Sequence, residues 1–184
     1  MRITSLFLML ILAMPALAIE VAGVEVSDKI TLGGETLTLN GAGVRSKFIV
    51  KVYVGSLYLA NKQSNAQAVI DADVESRIGM QFIYSKVEKK KTVAAWNEGL
   101  KKNLDAATLA SLKPRIAKFN AMFPDLHEGD HVTIDYIPGK GTEVVINGTS
   151  KGVVKGADFN RALKSIWLGK KPVTSDLKKA MLGK

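Results

Sequence analysis

The 184-residue chain carries 26 Lys and Arg against 17 Asp and Glu, a formal charge of +9, and no cysteine. The missing cysteines exclude disulfides, zinc–thiolate sites and thiol nucleophiles, so the fold must stand on its hydrophobic core. The positive balance admits an acidic ligand, a membrane surface or nucleic acid as partner, but no aromatic–basic recognition motif supports nucleic acid.

The first element in chain order is a targeting segment. Arg2 supplies a basic start, Leu6 to Leu12 an unbroken apolar run, and Pro15-Ala16-Leu17-Ala18 an A-x-A cleavage pattern. Cleavage after Ala18 leaves residues 19–184, the size of one domain with one core. The apolar run falls short of the about 20 residues that spanning takes. The expectation is a signal peptide over residues 1–18 and a periplasmic or secreted protein. It would have no integral membrane segment after signal cleavage, and its charge would allow transient contact with a membrane surface.

Ile19 to Leu39 suggests short strands joined by tight turns at Gly23 and Gly33-Gly34. Asn40-Gly41-Ala42-Gly43-Val44-Arg45 then reads as a small-residue turn that delivers Arg45 to a strand over Ser46–Leu59. There Phe48, Val50, Val52 and Val54 share one parity, and Lys47, Ile49, Lys51 and Tyr53 the other. The second face suits a lined pocket, although residue types alone favour Lys47 and Lys51 simply facing water.

Asn61 to Ala72 suggests a short helix, and Ser76 to Tyr84 a strand with Ile78, Met80, Phe82 and Tyr84 in alternation. Val93, Trp96, Leu100, Leu104 and Ala107 predict helix over Val87–Leu112. Asp105 caps a second piece at Ala106, and Pro114 is expected to separate that piece from another over Ile116–Phe123. Strands return with Val132, Ile134 and Tyr136. Pro138-Gly139-Lys140-Gly141 reverses the chain, and Asn147-Gly148 is a strong hairpin signal. Val153-Val154 makes a third strand. A helix from Ala157 through Trp167 ends at Gly169, and a short helix over Ser175–Leu182, capped by Thr174 or Ser175, closes the chain. Strands, helices, a meander and helices in that order predict one α+β domain, a large antiparallel sheet with helices layered on one face.

No nucleophile elbow, phosphate loop or H-E-x-x-H stands in the sequence. Gly139-Lys140-Gly141-Thr142 reads as a hairpin turn. His127-Glu128-Gly129-Asp130-His131 is compact, but the glycine at its centre argues against a metal site. Neither metal nor cofactor is expected. Arg45 is placed to bind an anion bidentately, and pairing with an acid across the sheet stays open as the alternative.

The stretch Leu39 to Arg45, with Lys51-Val52-Tyr53 and Leu57-Tyr58-Leu59, resembles the chalcone isomerase superfamily. Asp135 to Gly141, Ile146-Asn147-Gly148, Gly156-Ala157-Asp158-Phe159 and Ile166 to Val173 are similar to its exported bacterial branch. The resemblance implies an open-faced β-sandwich with a ligand cleft between sheet and helices. Plant members close a chalcone into a flavanone by intramolecular addition, guided by an arginine and polar groups. Others bind fatty acids through that arginine and a tyrosine.

By resemblance, Arg45 matches the shared arginine and Tyr53 the tyrosine of the fatty-acid binders. Tyr84 falls near the plant active-site tyrosine, with Trp96 anchoring the alignment. Lys91 stands for a plant asparagine and Ile166 for a serine or threonine. The first expectation is therefore a binder of a small amphipathic carboxylate such as a fatty acid, using Arg45, Tyr53, Tyr84 and Lys91. The missing hydroxyl at Ile166 is taken to favour binding. The alternatives are an isomerase (intramolecular lyase) with Arg45 and Tyr84 catalytic, and a ligand-free scaffold. A straight strand would hold Arg45 and Tyr53 about 26 Å apart, so sharing a ligand requires a reversal near Ser46-Lys47.

Overall fold

The computed structural model describes residues 18–184, so the expected signal peptide, but for Ala18, lies outside the described residues. Strands β1 (Ala18–Val21), β2 (Val24–Ser27) and β3 (Lys29–Leu32) precede the long β4 (Glu35–Lys47) and β5 (Val50–Leu59). Helix α1 (Ala66–Asp71), β6 (Ser76–Phe82) and β7 (Lys86–Val87) lead into α2 (Lys89–Asn103) and α3 (Ala106–Ala121). Then come β8 (Leu126–His127), β9 (His131–Ile137), β10 (Gly141–Ile146), β11 (Thr149–Val154), α4 (Ala157–Leu168) and α5 (Ser175–Met181).

Seven strands form one antiparallel sheet in the order β11-β10-β9-β6-β5-β4-β3. The fold is α+β, as the element order predicts. The alternation of apolar residues gives the sheet two apolar faces of unequal size. On the larger, Leu57, Met80, Val132 and Val144 join Trp96, Leu100, Phe119, Phe159 and Trp167 from the helices in one core. On the other, Leu37, Leu39, Val54 and Tyr58 cluster with Val26 of the β1–β2 hairpin.

Three local expectations are corrected. Ser46–Leu59 is not one strand, because the chain reverses at Phe48 and Ile49 to make β4 and β5 a hairpin. Apolar alternation continues through the turn, so periodicity could not mark it. The segment Asn40–Arg45 is not a turn but the middle of β4. Its glycines serve close packing: a Cβ on Gly41 would overlap the Ala180 carbonyl, and one on Gly43 would lie 2.5 Å from Ala180 Cβ. Helix α5 therefore rests directly on the strand backbone. Finally, α3 runs unbroken through Pro114. That proline is solvent-exposed, where water can satisfy the freed carbonyl, while buried Leu112 and Phe119 hold the helix on either side.

The β4–β5 ladder shifts register twice, leaving Asn40 and Val52 as extra residues. A bulge re-aims the side chains around it. Asn40 is buried and donates through Nδ2 to the carbonyls of Met181 (2.7 Å) and Gln63 (3.0 Å), while its Oδ1 accepts from the Gln63 amide (2.7 Å). It thereby ties the end of α5 to the sheet. At the second bulge, Val52 and Tyr53 both enter the larger core.

Gly41→Ala should destabilise the protein by about 1–3 kcal/mol, since backbone rather than a flexible side chain must yield. A lower urea midpoint at unchanged denaturant slope is the expected result, and an unchanged midpoint would contradict the close packing of α5.

Candidate functional site

The β4–β5 turn makes Arg45 and Tyr53 direct cross-strand partners. The reversal that their shared use of a ligand requires exists, two residues beyond Ser46-Lys47. The Arg45 guanidinium carbon lies 5.9 Å from the Tyr53 ring centroid. The hairpin end, the end of β6, β7, the first turns of α2 and Val173 together enclose a cleft of about 290 Å³. Arg45, Tyr53, Tyr84 and Lys91 all line it.

Tyr53 sits at the base. Its side chain is buried, its ring centroid is 5.4 Å from that of Phe82, and its hydroxyl accepts a 2.9 Å hydrogen bond from Trp167 Nε1. Burial pushes its pKa up to about 12, against the opposing pull of Arg45 and the Trp167 bond. At neutral pH it is a phenol, ionised in roughly one molecule in 10⁵. Since Trp167 donates to the oxygen, the phenol proton is left to donate, and it meets no acceptor among the described residues.

Arg45 Nε, Thr92 Oγ1 and Trp96 Nε1 are buried without a hydrogen-bond partner among the described residues, and all three residues line the cleft. Leaving such a group unpaired costs about 1–3 kcal/mol. All three are polar groups of the lining that the protein's own described residues leave unsatisfied. The cations lining the cleft are Arg45, Lys47, Lys86 and Lys91, and no acidic residue lines it. Lys86 pairs with Asp125 at 2.8 Å and Lys91 approaches Glu88 at 3.8 Å. Arg45 and Lys47 have no ion-pair partner among the described residues. The acid-pairing alternative for Arg45 is thus not realised. Phe48, Val50, Val52, Phe82, Val87 and Trp96 supply apolar wall.

Tyr84 is 43% exposed and the Lys91 side chain 68% exposed, so both belong to the mouth rather than the base. Ile166 does not line the cleft. It is buried against α2, where a Cβ on Gly99 would lie 3.0 Å from its Cγ2. Its lack of a hydroxyl therefore carries no weight between binding and catalysis.

Sequence reasoning missed Thr92, Lys86 and the support that Trp167 gives Tyr53. It put Val93 on the buried stripe of α2, whereas the buried positions are Thr92, Trp96, Gly99 and Leu100. One signal was available. If Trp96 faces inward, the residue one turn earlier is Thr92, and a polar residue there marks a lined site rather than plain core.

The large antiparallel sheet with its helix layer, and the cationic, partly apolar cleft between them, define an α+β open-faced sandwich. The chain belongs to the chalcone isomerase-like family, whose model matches residues 18–183. Among solved structures, a fatty-acid binding protein of Arabidopsis thaliana is similar in fold. Its TM-score is 0.68 at 17% identity, over 87% of this chain and 92% of that one. Among curated proteins, none matches in sequence.

The raised pKa of Tyr53 predicts an alkaline signature. Its ordinary value is 10.0 and its folded value about 12. The stabilisation it brings is complete below pH 10 and is lost as pH rises through 12, because the unfolded chain releases the proton first. Over that window wild type should lose about 3 kcal/mol more stability than Tyr53→Phe. Urea unfolding of both proteins across the window checks this, and parallel pH curves would contradict it.

Proposed function

We propose that this chain is an exported binding protein for an amphipathic carboxylate such as a fatty acid. Arg45 takes the head group, and the Tyr53 hydroxyl donates a second hydrogen bond. The supporting observation is the base of the cleft: a guanidinium with a buried, unpartnered Nε beside a neutral phenol that has a proton to give. Those are two donors that suit a carboxylate, in a cleft lined by four cations and no acid. The similar fold of a plant fatty-acid binding protein agrees with this reading. The basic start, apolar run and A-x-A pattern of the first 18 residues support export to the periplasm.

The cleft volume of about 290 Å³ is near the lower bound of small-molecule sites. A short or medium chain fits that volume best. A longer one would rest its end on the exposed apolar rim of Phe48, Val50 and Tyr84.

The isomerase reading draws on Arg45 and Tyr84, which line the same cleft and could stabilise developing charge and position a proton. Binding is favoured over it because Tyr53, protonated at neutral pH with its pKa pushed up to about 12, can donate to a carboxylate but cannot take up a proton.

Arg45→Ala should weaken binding of a medium-chain fatty acid about 10- to 100-fold, and Tyr53→Phe should weaken it less. Isothermal titration measures both. Native mass spectrometry should find a carboxylate on the wild-type protein from its own cell envelope and none on Arg45→Ala. Equal affinity in wild type and Arg45→Ala would overturn the reading, and appreciable turnover of a chalcone would replace it with the isomerase.

A further inference from the structure

The β4–β5 turn is costly in ways the fold does not explain. Phe48 has a φ of 55°, a left-handed conformation in the first position of a two-residue loop, where glycine is favoured. Yet Phe48 is 93% exposed and its neighbour Ile49 97% exposed, so neither packs on the domain. Single exposed apolar residues are ordinary. Here, however, the pair continues into Val50 (40% exposed) and Tyr84 (43% exposed), forming one apolar margin along the mouth of the cleft.

The charges around that margin have one prevailing sign. Exposed Lys47 and Lys51 flank the turn without ion-pair partners among the described residues, and Lys86 and Lys91 stand across the mouth. The acids nearby are already engaged: Asp125 with Lys86, Glu88 with Lys90 and Lys91, and Glu98 with Lys102. Apolar side chains at a tip, flanked by two unpaired lysines, match the layered chemistry of an anionic bilayer. There phosphates at the surface lie over hydrocarbon below.

We propose that the Lys47–Lys51 hairpin tip docks the protein on an anionic phospholipid membrane. Phe48 and Ile49 enter the interfacial layer, and Lys47 and Lys51 contact lipid phosphates. The cleft mouth is thereby held against the bilayer, from which an amphipathic ligand could pass without crossing water. The docking stands on the tip alone, and only this last step rests on the carboxylate-binding reading. Two side chains and a few lysines make a reversible contact rather than an anchor.

The test is co-sedimentation of the exported form of the protein with vesicles of phosphatidylcholine containing phosphatidylglycerol, against vesicles of phosphatidylcholine alone. Ile49→Asp and Lys51→Ala are the informative variants, because neither residue lines the cleft and both are exposed. Wild type should bind the anionic vesicles and release them as salt rises. Ile49→Asp should weaken partition at least tenfold and Lys51→Ala several-fold, with thermal midpoints unchanged. Fatty-acid affinity in vesicle-free solution should also stay unchanged in Ile49→Asp, which separates failure of docking from failure of ligand binding. No binding to anionic vesicles would overturn the proposal, as would salt-sensitive binding indifferent to Ile49→Asp. A homodimer abolished by Ile49→Asp, in protein that ignores vesicles, would overturn it in favour of self-association through the tip.

Discussion

The opposition of Arg45 and Tyr53 across the β4–β5 ladder is the constraint on which the site depends. Neither residue is unusual alone. The turn at Phe48–Ile49 sets a permanent cation beside a phenol, and the bulge at Val52 sends the phenol into the core on the helix side. Trp167, delivered by α4, then donates to the phenol oxygen and leaves its proton as the group that can act. The base of the cleft is thus assembled from one hairpin and a helix more than a hundred residues further on.

The same packing explains the glycines. β4 is crossed by α5 so closely that Gly41 and Gly43 leave no room for a side chain, and buried Asn40 fastens the helix end to the strand. Three of the five residues before the arginine, Asn40, Gly41 and Gly43, thus serve to hold a helix, while Ala42 and Val44 pack on the other face. The motif that reads as a turn presenting Arg45 is a stretch of strand on which α5 docks.

Much of this was legible in the sequence, and the failures have physical causes. The α+β class followed from element order, and the Asp105 cap and the Asn147-Gly148 hairpin followed from side-chain chemistry and turn preference. The Phe48–Ile49 reversal was invisible because its residues are strand formers and carry no turn signal. Its need could be argued only from distance. Pro114 misled because helix-breaking is a local rule, and here buried residues on both sides of an exposed proline overrode it. Arg45, Tyr53, Tyr84 and Lys91 converge on one cleft. Thr92 was hidden because it occupies a buried helix position where an apolar residue was expected.

The central claim is that Arg45 and Tyr53 read a carboxylate as an anion. The most direct measurement is carbon-13 NMR of a medium-chain fatty acid, labelled at its carboxyl carbon, bound to the protein and titrated toward acid pH. The guanidinium and phenol should hold the bound carboxylate ionised well below the pH at which the free acid takes up its proton. A bound carboxyl that titrates like the free acid would contradict the account.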